Sequence, residues 1–158
     1  MRVLVAYGSK MGGTKGLAEM LGADLADLGY DVDILPGGDV SDVNSYDAVI
    51  VGGAVYYFIQ WHKDAKSLVK RHLEDLRQRP VWLFSSGPLD DSATEKDIPP
   101  IKSVDRLIDR VGARGHVTFG GRLEEKNGSL PVGDWRDPGH VRRWAEQIHQ
   151  ALGAKKAG

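Results

Sequence analysis

Apolar positions along this chain come in two kinds of run that take turns. The first kind is short and continuous: Val3-Leu4-Val5-Ala6 within 2–7, Ala48-Val49-Ile50-Val51 within 46–53, and Val81-Trp82-Leu83-Phe84 within 80–86. Such runs, without a polar interruption, read as strands buried on both faces. Asp31-Val32-Asp33-Ile34-Leu35 alternates polar with apolar, as an edge strand would, and Gly115 to Phe119 reads as the last strand. The second kind is spaced three or four residues apart. Leu17, Leu21, Leu25 and Leu28 line one face of a helix over 13–28, with Gly29 as its cap. Trp61, Ala65, Leu68, Val69, Leu73 and Leu76 line a helix over 61–76. Val104, Leu107, Ile108 and Val111 mark a third, closed by Gly112. Val141, Trp144, Ala145, Ile148 and Leu152 mark a fourth, with Asp137 as N-cap and Pro138 at its first position.

Strands alternating with helices predict an α/β protein, a doubly wound five-stranded parallel sheet. Between the elements, Val40 to Ser45 suits a single turn, 90–100 is a polar loop, and 120–135 is a long irregular connection. At 158 residues the chain is expected to form one domain over 1–153, with 154–158 as a frayed tail. Ligands of such sheets lie beyond the C-terminal ends of the strands, where the winding reverses. Three stretches converge there: 7–14, 52–61 and 85–89.

Composition narrows the chemistry. The chain has no cysteine, which removes a disulfide framework, a thiol nucleophile and a thiolate metal site, and fits a reducing cytoplasm. A formal net charge of −1 makes no electrostatic case for nucleic acid or an anionic membrane. No apolar run approaches the ~20 residues that span a bilayer, and the N-terminus lacks a signal-peptide pattern.

The stretch with the most chemical content is Tyr7-Gly8-Ser9-Lys10-Met11-Gly12-Gly13-Thr14. It passes from a strand through small and hydroxyl residues into a helix. The first N–H groups of that helix have no partner within it, and the helix dipole adds partial positive charge. Ser9 and Thr14 add hydroxyl donors. A nucleoside-triphosphate loop is excluded by order: Gly8 and Gly13 have the spacing, but Thr14-Lys15 follow where Lys then Ser/Thr is needed. The dinucleotide pattern Gly-x-Gly-x-x-Gly is absent. A single terminal phosphate fits this loop better than a pyrophosphate.

Ser9-x-x-Gly12-x-Thr14 after a first strand resembles the phosphate loop of flavodoxin-like proteins, with Met11 where the family usually has Thr and Gly13 where it often has Asn. The resemblance implies sheet order 2-1-3-4-5 and FMN as cofactor, its phosphate held by Ser9, Lys10, Met11, Gly12, Gly13 and Thr14. Asp47 to Gly52 and Val55-Tyr56 resemble the second flavin loop, which assigns Ala54, Val55, Tyr56 and Tyr57 to the ring. Three aromatics in a row, Tyr56-Tyr57-Phe58, cannot all enter one core, so at least one is expected to face the crevice; a hydrophobic lid or homodimer contact is the alternative. Trp82 to Leu89 resembles the third loop, with Ser85, Ser86, Gly87, Pro88 and Leu89 at the ring edge. Phe119-Gly120-Gly121-Arg122-Leu123 resembles a branch of the family that includes menaquinone-dependent protoporphyrinogen oxidase.

Two functions follow from the resemblance. One is an FMN-dependent oxidoreductase acting on a quinone or another aromatic redox partner. The other is an electron carrier of the flavodoxin type, whose usual strongly acidic surface this chain lacks. A receiver-like signalling domain is set aside, because Tyr7-Gly8 and Gly52-Gly53 stand where its acidic residues would be. In flavodoxins a second-loop peptide, usually at a Gly, flips when the flavin takes one electron; the corresponding Tyr57 to Gln60 contains no glycine, so positive φ is disfavoured there and the resemblance implies passing electrons in pairs. His62 is weighed as a substrate-side residue, while His72, His140 and His149 read as surface. Arg122 reads as an anion partner or a solvated charge, and Glu124-Glu125-Lys126 as solvated. No histidine pair has metal-ligand spacing.

Overall fold

In the computed structural model, which describes residues 1–9, 12–57, 59–124 and 128–157 and side chains through Gly153, the first strand lies inside the sheet. Strand β1 (Arg2–Gly8) leads into α1 (Gly13–Asp27), then β2 (Asp31–Pro36) and a short 3-10 turn, Gly37–Asp39. Next come β3 (Ala48–Tyr56), β4 (Gln60–Trp61), α2 (Lys63–Arg71) and α3 (Leu73–Leu76). They are followed by β5 (Val81–Ser86), α4 (Ser92–Glu95), α5 (Lys102–Val111) and β6 (Gly115–Phe119). The short β7 (Arg122–Leu123) and β8 (Gly133–Asp134) precede α6 (Pro138–Ala157).

Five strands are parallel in the order β2-β1-β3-β5-β6, and β4 pairs antiparallel to the end of β3. With β4 set aside, this is the expected order 2-1-3-4-5. The sheet is doubly wound because its buried strands are apolar on both faces. Val3, Val5, Ile50, Trp82 and Phe84 pack one face against α1 and α6. Leu4, Val49, Val51, Val81 and Leu83 pack the other against α2 and α5. On the first face Phe84, Phe119 and Trp144 meet edge to face, with centroids 5.7–6.0 Å apart.

The edges differ from the centre. At β2, Asp33 accepts from Arg2 Nη2 at 2.9 Å and from Tyr46 Oη at 2.7 Å. At β6, Thr118 donates to the Ile98 carbonyl at 3.1 Å, and α4 packs beside the strand.

Five local expectations change. The aromatic stretch read as a loop is a hairpin: β3 runs on to Tyr56, and Trp61 is a strand residue rather than part of a helix. The helix expected over 61–76 is kinked at His72, where φ is −111° and ψ 24°. A turn of helix, α4, interrupts 90–100, and the β7–β8 hairpin organises the irregular connection. His149 is half-buried rather than fully solvated: its Nδ1 lies 2.7 Å from Tyr30 Oη, because α6 lies alongside the end of α1.

Candidate functional site

Parallel pairing aligns the strand ends. Gly8 of β1 stands beside Gly53 of β3, and Gly53 beside Ser85 of β5, so three loops leave the sheet at one level. Two ring systems press on the middle strand. A Cβ on Gly52 would fall on the Phe84 ring, and one on Gly53 would lie 2.6 Å from Trp61 Nε1 on the other face. Only glycine fits either place, which is why the apolar run of β3 ends in Gly-Gly.

The first loop turns into α1 at Gly12, whose φ of 83° lies in the left-handed region that favours glycine. Gly12 N donates to Ser9 Oγ at 3.0 Å, which fixes the turn. Among the described residues no side chain caps α1 and nothing lies within 4 Å of where a Cβ on Gly12 would be, and the first turn of α1 holds no acidic residue. Among the described residues, the first-turn N–H groups of α1 are therefore left without a side-chain acceptor. Thr14 is 1 % exposed, and its hydroxyl lies 2.7 Å from Ser86 Oγ on β5. Each hydroxyl has one proton, so when Ser86 donates to Thr14, the Thr14 proton is available elsewhere. Lys10 and Met11 lie outside the described residues.

The second loop separates its aromatics. Tyr56 is half-buried, its ring 6.0 Å from that of His62. Tyr57 is 88 % exposed at the turn, closed by Ile59 N donating to the Tyr56 carbonyl at 3.1 Å. Its φ of 54° departs from the expectation that this stretch avoids positive φ; the tight hairpin imposes it. Phe58 lies outside the described residues. Ala54 accepts from His62 N at 2.8 Å, and Val55 packs toward α2. His62 is 8 % exposed and caps α2 by accepting from Asp64 N at 3.0 Å.

In the third loop the two serines face opposite ways. Ser86 meets Thr14, whereas Ser85 Oγ bonds His116 Nε2 at 2.9 Å. Burial holds the His116 imidazole down to about 4, with Asp97 opposing, so it is neutral at pH 7. Nothing in the spacing of Ser85 and His116 along the sequence announces their contact. A cavity of about 400 Å³ beside it is lined by Lys96, His140, Arg143 and Trp144 among others. Gly87, Pro88 and Leu89 run along the 119–121 segment, where Gly121 N donates to the Pro88 carbonyl at 2.8 Å.

The hairpin after β6 adds a fourth wall that the sequence did not reveal. The Arg122 backbone lies 3.5–3.6 Å from where a Cβ on Gly13 would be. Arg122 pairs with Glu124, so it is neither free nor simply solvated; Glu125 and Lys126 lie outside the described residues. Arg136 is held by Asp134 through Nε at 2.9 Å and Nη2 at 2.8 Å. These bonds keep the Asp134 carboxyl below its usual range.

The sequence profile described as Flavodoxin domain matches residues 4–129. The chain belongs to the flavodoxin domain family. This flavodoxin-domain chain has the fold of a flavodoxin from the domain Archaea, with 16 % identity, TM-score 0.68, and 97 % and 99 % of the two chains covered. Rubredoxin oxygen:oxidoreductase from Desulfovibrio gigas is similar over 99 % of this chain and 37 % of that one, with 18 % identity and TM-score 0.70. Among curated proteins, protoporphyrinogen IX dehydrogenase [quinone] of Escherichia coli K12 is 25 % identical over 87 residues. That match covers 54 % of this flavodoxin-domain chain and 48 % of the relative, so it spans about half the length of the relative. Among the described residues, no helix is long and apolar enough to cross a membrane, and no group of three or more His, Asp and Glu is placed to hold a metal.

Proposed function

We propose that this flavodoxin-domain protein binds one FMN where its three loops meet, and is an oxidoreductase exchanging electrons with a quinone or another aromatic redox partner. The observation that carries the reading is the level register of Gly8, Gly53 and Ser85 beside an α1 terminus free of acidic groups. The residues fit the cofactor. The first-turn N–H groups of Gly13, Thr14 and Lys15 would hold a terminal phosphate, in a loop shaped by Ser9 and Gly12. Ala54 to Tyr57 and Gly87 to Leu89 would flank the ring and keep water from it. FMN, when bound, supplies the redox chemistry, which these side chains lack. One helix terminus suits one phosphate, so FAD should bind poorly.

The quinone part rests on the partial likeness to the E. coli dehydrogenase and on charge. A net charge of −1 lacks the acidic field that steers shuttle proteins to basic partners. The test is a fluorescence titration of the purified protein with FMN, followed by anaerobic mixing of the reduced protein with menadione. Quenching at one FMN per chain and reoxidation by the quinone are expected. Unquenched FMN would overturn the reading. FMN binding without a quinone reaction would make this an electron carrier between proteins.

A further inference from the structure

We infer that the β7–β8 hairpin forms part of the phosphate site, and that Arg136 supplies a charged contact to the phosphate alongside the backbone amides. The inference rests on the FMN reading and deepens it. The Arg136 side chain is 8 % exposed, an unusual place for a guanidinium. Two of its nitrogens are committed to Asp134, while Nη1 has no hydrogen bond among the described residues. That nitrogen lies against α1: a Cβ on Gly16 would fall on Nη1 itself. Cα–Cβ bonds on a helix tilt toward its N-terminus, so a group in that position covers the turn before Gly16. That turn is Gly12 to Lys15, the open end of α1.

The hairpin approaches the same turn twice. Gly13 and Gly16 share one helix face, with the Arg122 backbone against the first and the Arg136 head against the second. Asp134 lies across from Arg122 in the hairpin and holds Arg136 by two parallel bonds, fixing the guanidinium plane. Arg122 and Arg136 are balanced by Glu124 and Asp134 within the hairpin, and the Glu19 carboxylate on α1 also acts on Arg136. A phosphate dianion would face a pre-oriented donor without displacing a charge. Gly16 is the seat that makes this possible, since any larger residue would push Nη1 away.

The experiment measures dissociation constants for FMN and for riboflavin, which lacks the phosphate, by flavin fluorescence. The proteins are wild type, Arg136→Met and Gly16→Ala. Arg136→Met should weaken FMN relative to riboflavin by about tenfold or more, the usual scale for one hydrogen bond to a charged group. Gly16→Ala should act in the same direction, although alanine favours the helix and no residue of the hairpin is itself replaced. An unchanged FMN-to-riboflavin ratio in both variants would overturn the inference while leaving the FMN reading intact. If wild type binds neither flavin, the FMN reading falls, and inorganic phosphate becomes the probe. Thermal stabilisation of wild type but not of Gly16→Ala by phosphate would still support the arginine's role. An equal response of the two, or none in either, would overturn it.

Discussion

His116 faces Ser85 from the last strand of the sheet, and its burial has a direction in pH. Its folded value is about 4, below the ordinary 6.5, so the unfolded chain binds the proton more readily. Stability from this group is full above the unfolded value and is lost as pH falls from 6.5 to 4. The most this shift supplies is about 3 kcal/mol. Urea unfolding should therefore show a stability drop across that window, and His116→Gln should flatten part of it. His140, on the same cavity, is also held low by burial, so some slope should remain. Tyr57 offers a second residue-scale measurement. Its left-handed backbone costs an L-residue about 1–2 kcal/mol, and its exposed ring buries little. Tyr57→Gly should raise the urea midpoint, equivalent to about 1 kcal/mol after glycine's extra entropy; a lower midpoint would mean that the ring packs. Neither residue was legible in advance. The His116–Ser85 contact joins different strands, and an aromatic at positive φ breaks the rule by which turns are read.

Among elements, the Thr14–Ser86 bond is the tie that matters, because it fastens the start of α1 to the end of β5. Thr14→Val should weaken FMN more than riboflavin, by about 1.5–3 kcal/mol if its proton reaches the phosphate. Ser86→Ala should shift FMN binding in the same direction by less, and the double variant should cost less than the sum, since the two hydroxyls act through one atom. Equal losses for FMN and riboflavin would show that the pair serves the fold alone. The long elements were readable from their apolar periods, and the strand–loop–helix form of 7–14 was readable from small residues before a helical pattern. The short ones were not. The β3–β4 hairpin hid within an aromatic run, and β7–β8 pairs two residues with two, too few for any alternation to register. With the second hairpin went Arg136, whose place is set by Gly16 across the chain.

At the scale of the molecule, topology was the most legible feature, because alternating strands and helices allow few right-handed windings. The near-neutral charge was equally plain in the composition. How the sheet ends was less visible, and it bears on association. An open edge strand offers unpaired backbone groups as a template for another chain. Here β2, at one end, carries Asp31 and Asp33 and finishes in Pro36, whose nitrogen cannot donate. At the other end, α4 packs beside β6 and the Thr118 hydroxyl donates to the Ile98 carbonyl. Growth of the sheet by strand addition, the route to fibrillar stacking, is thus opposed at both margins.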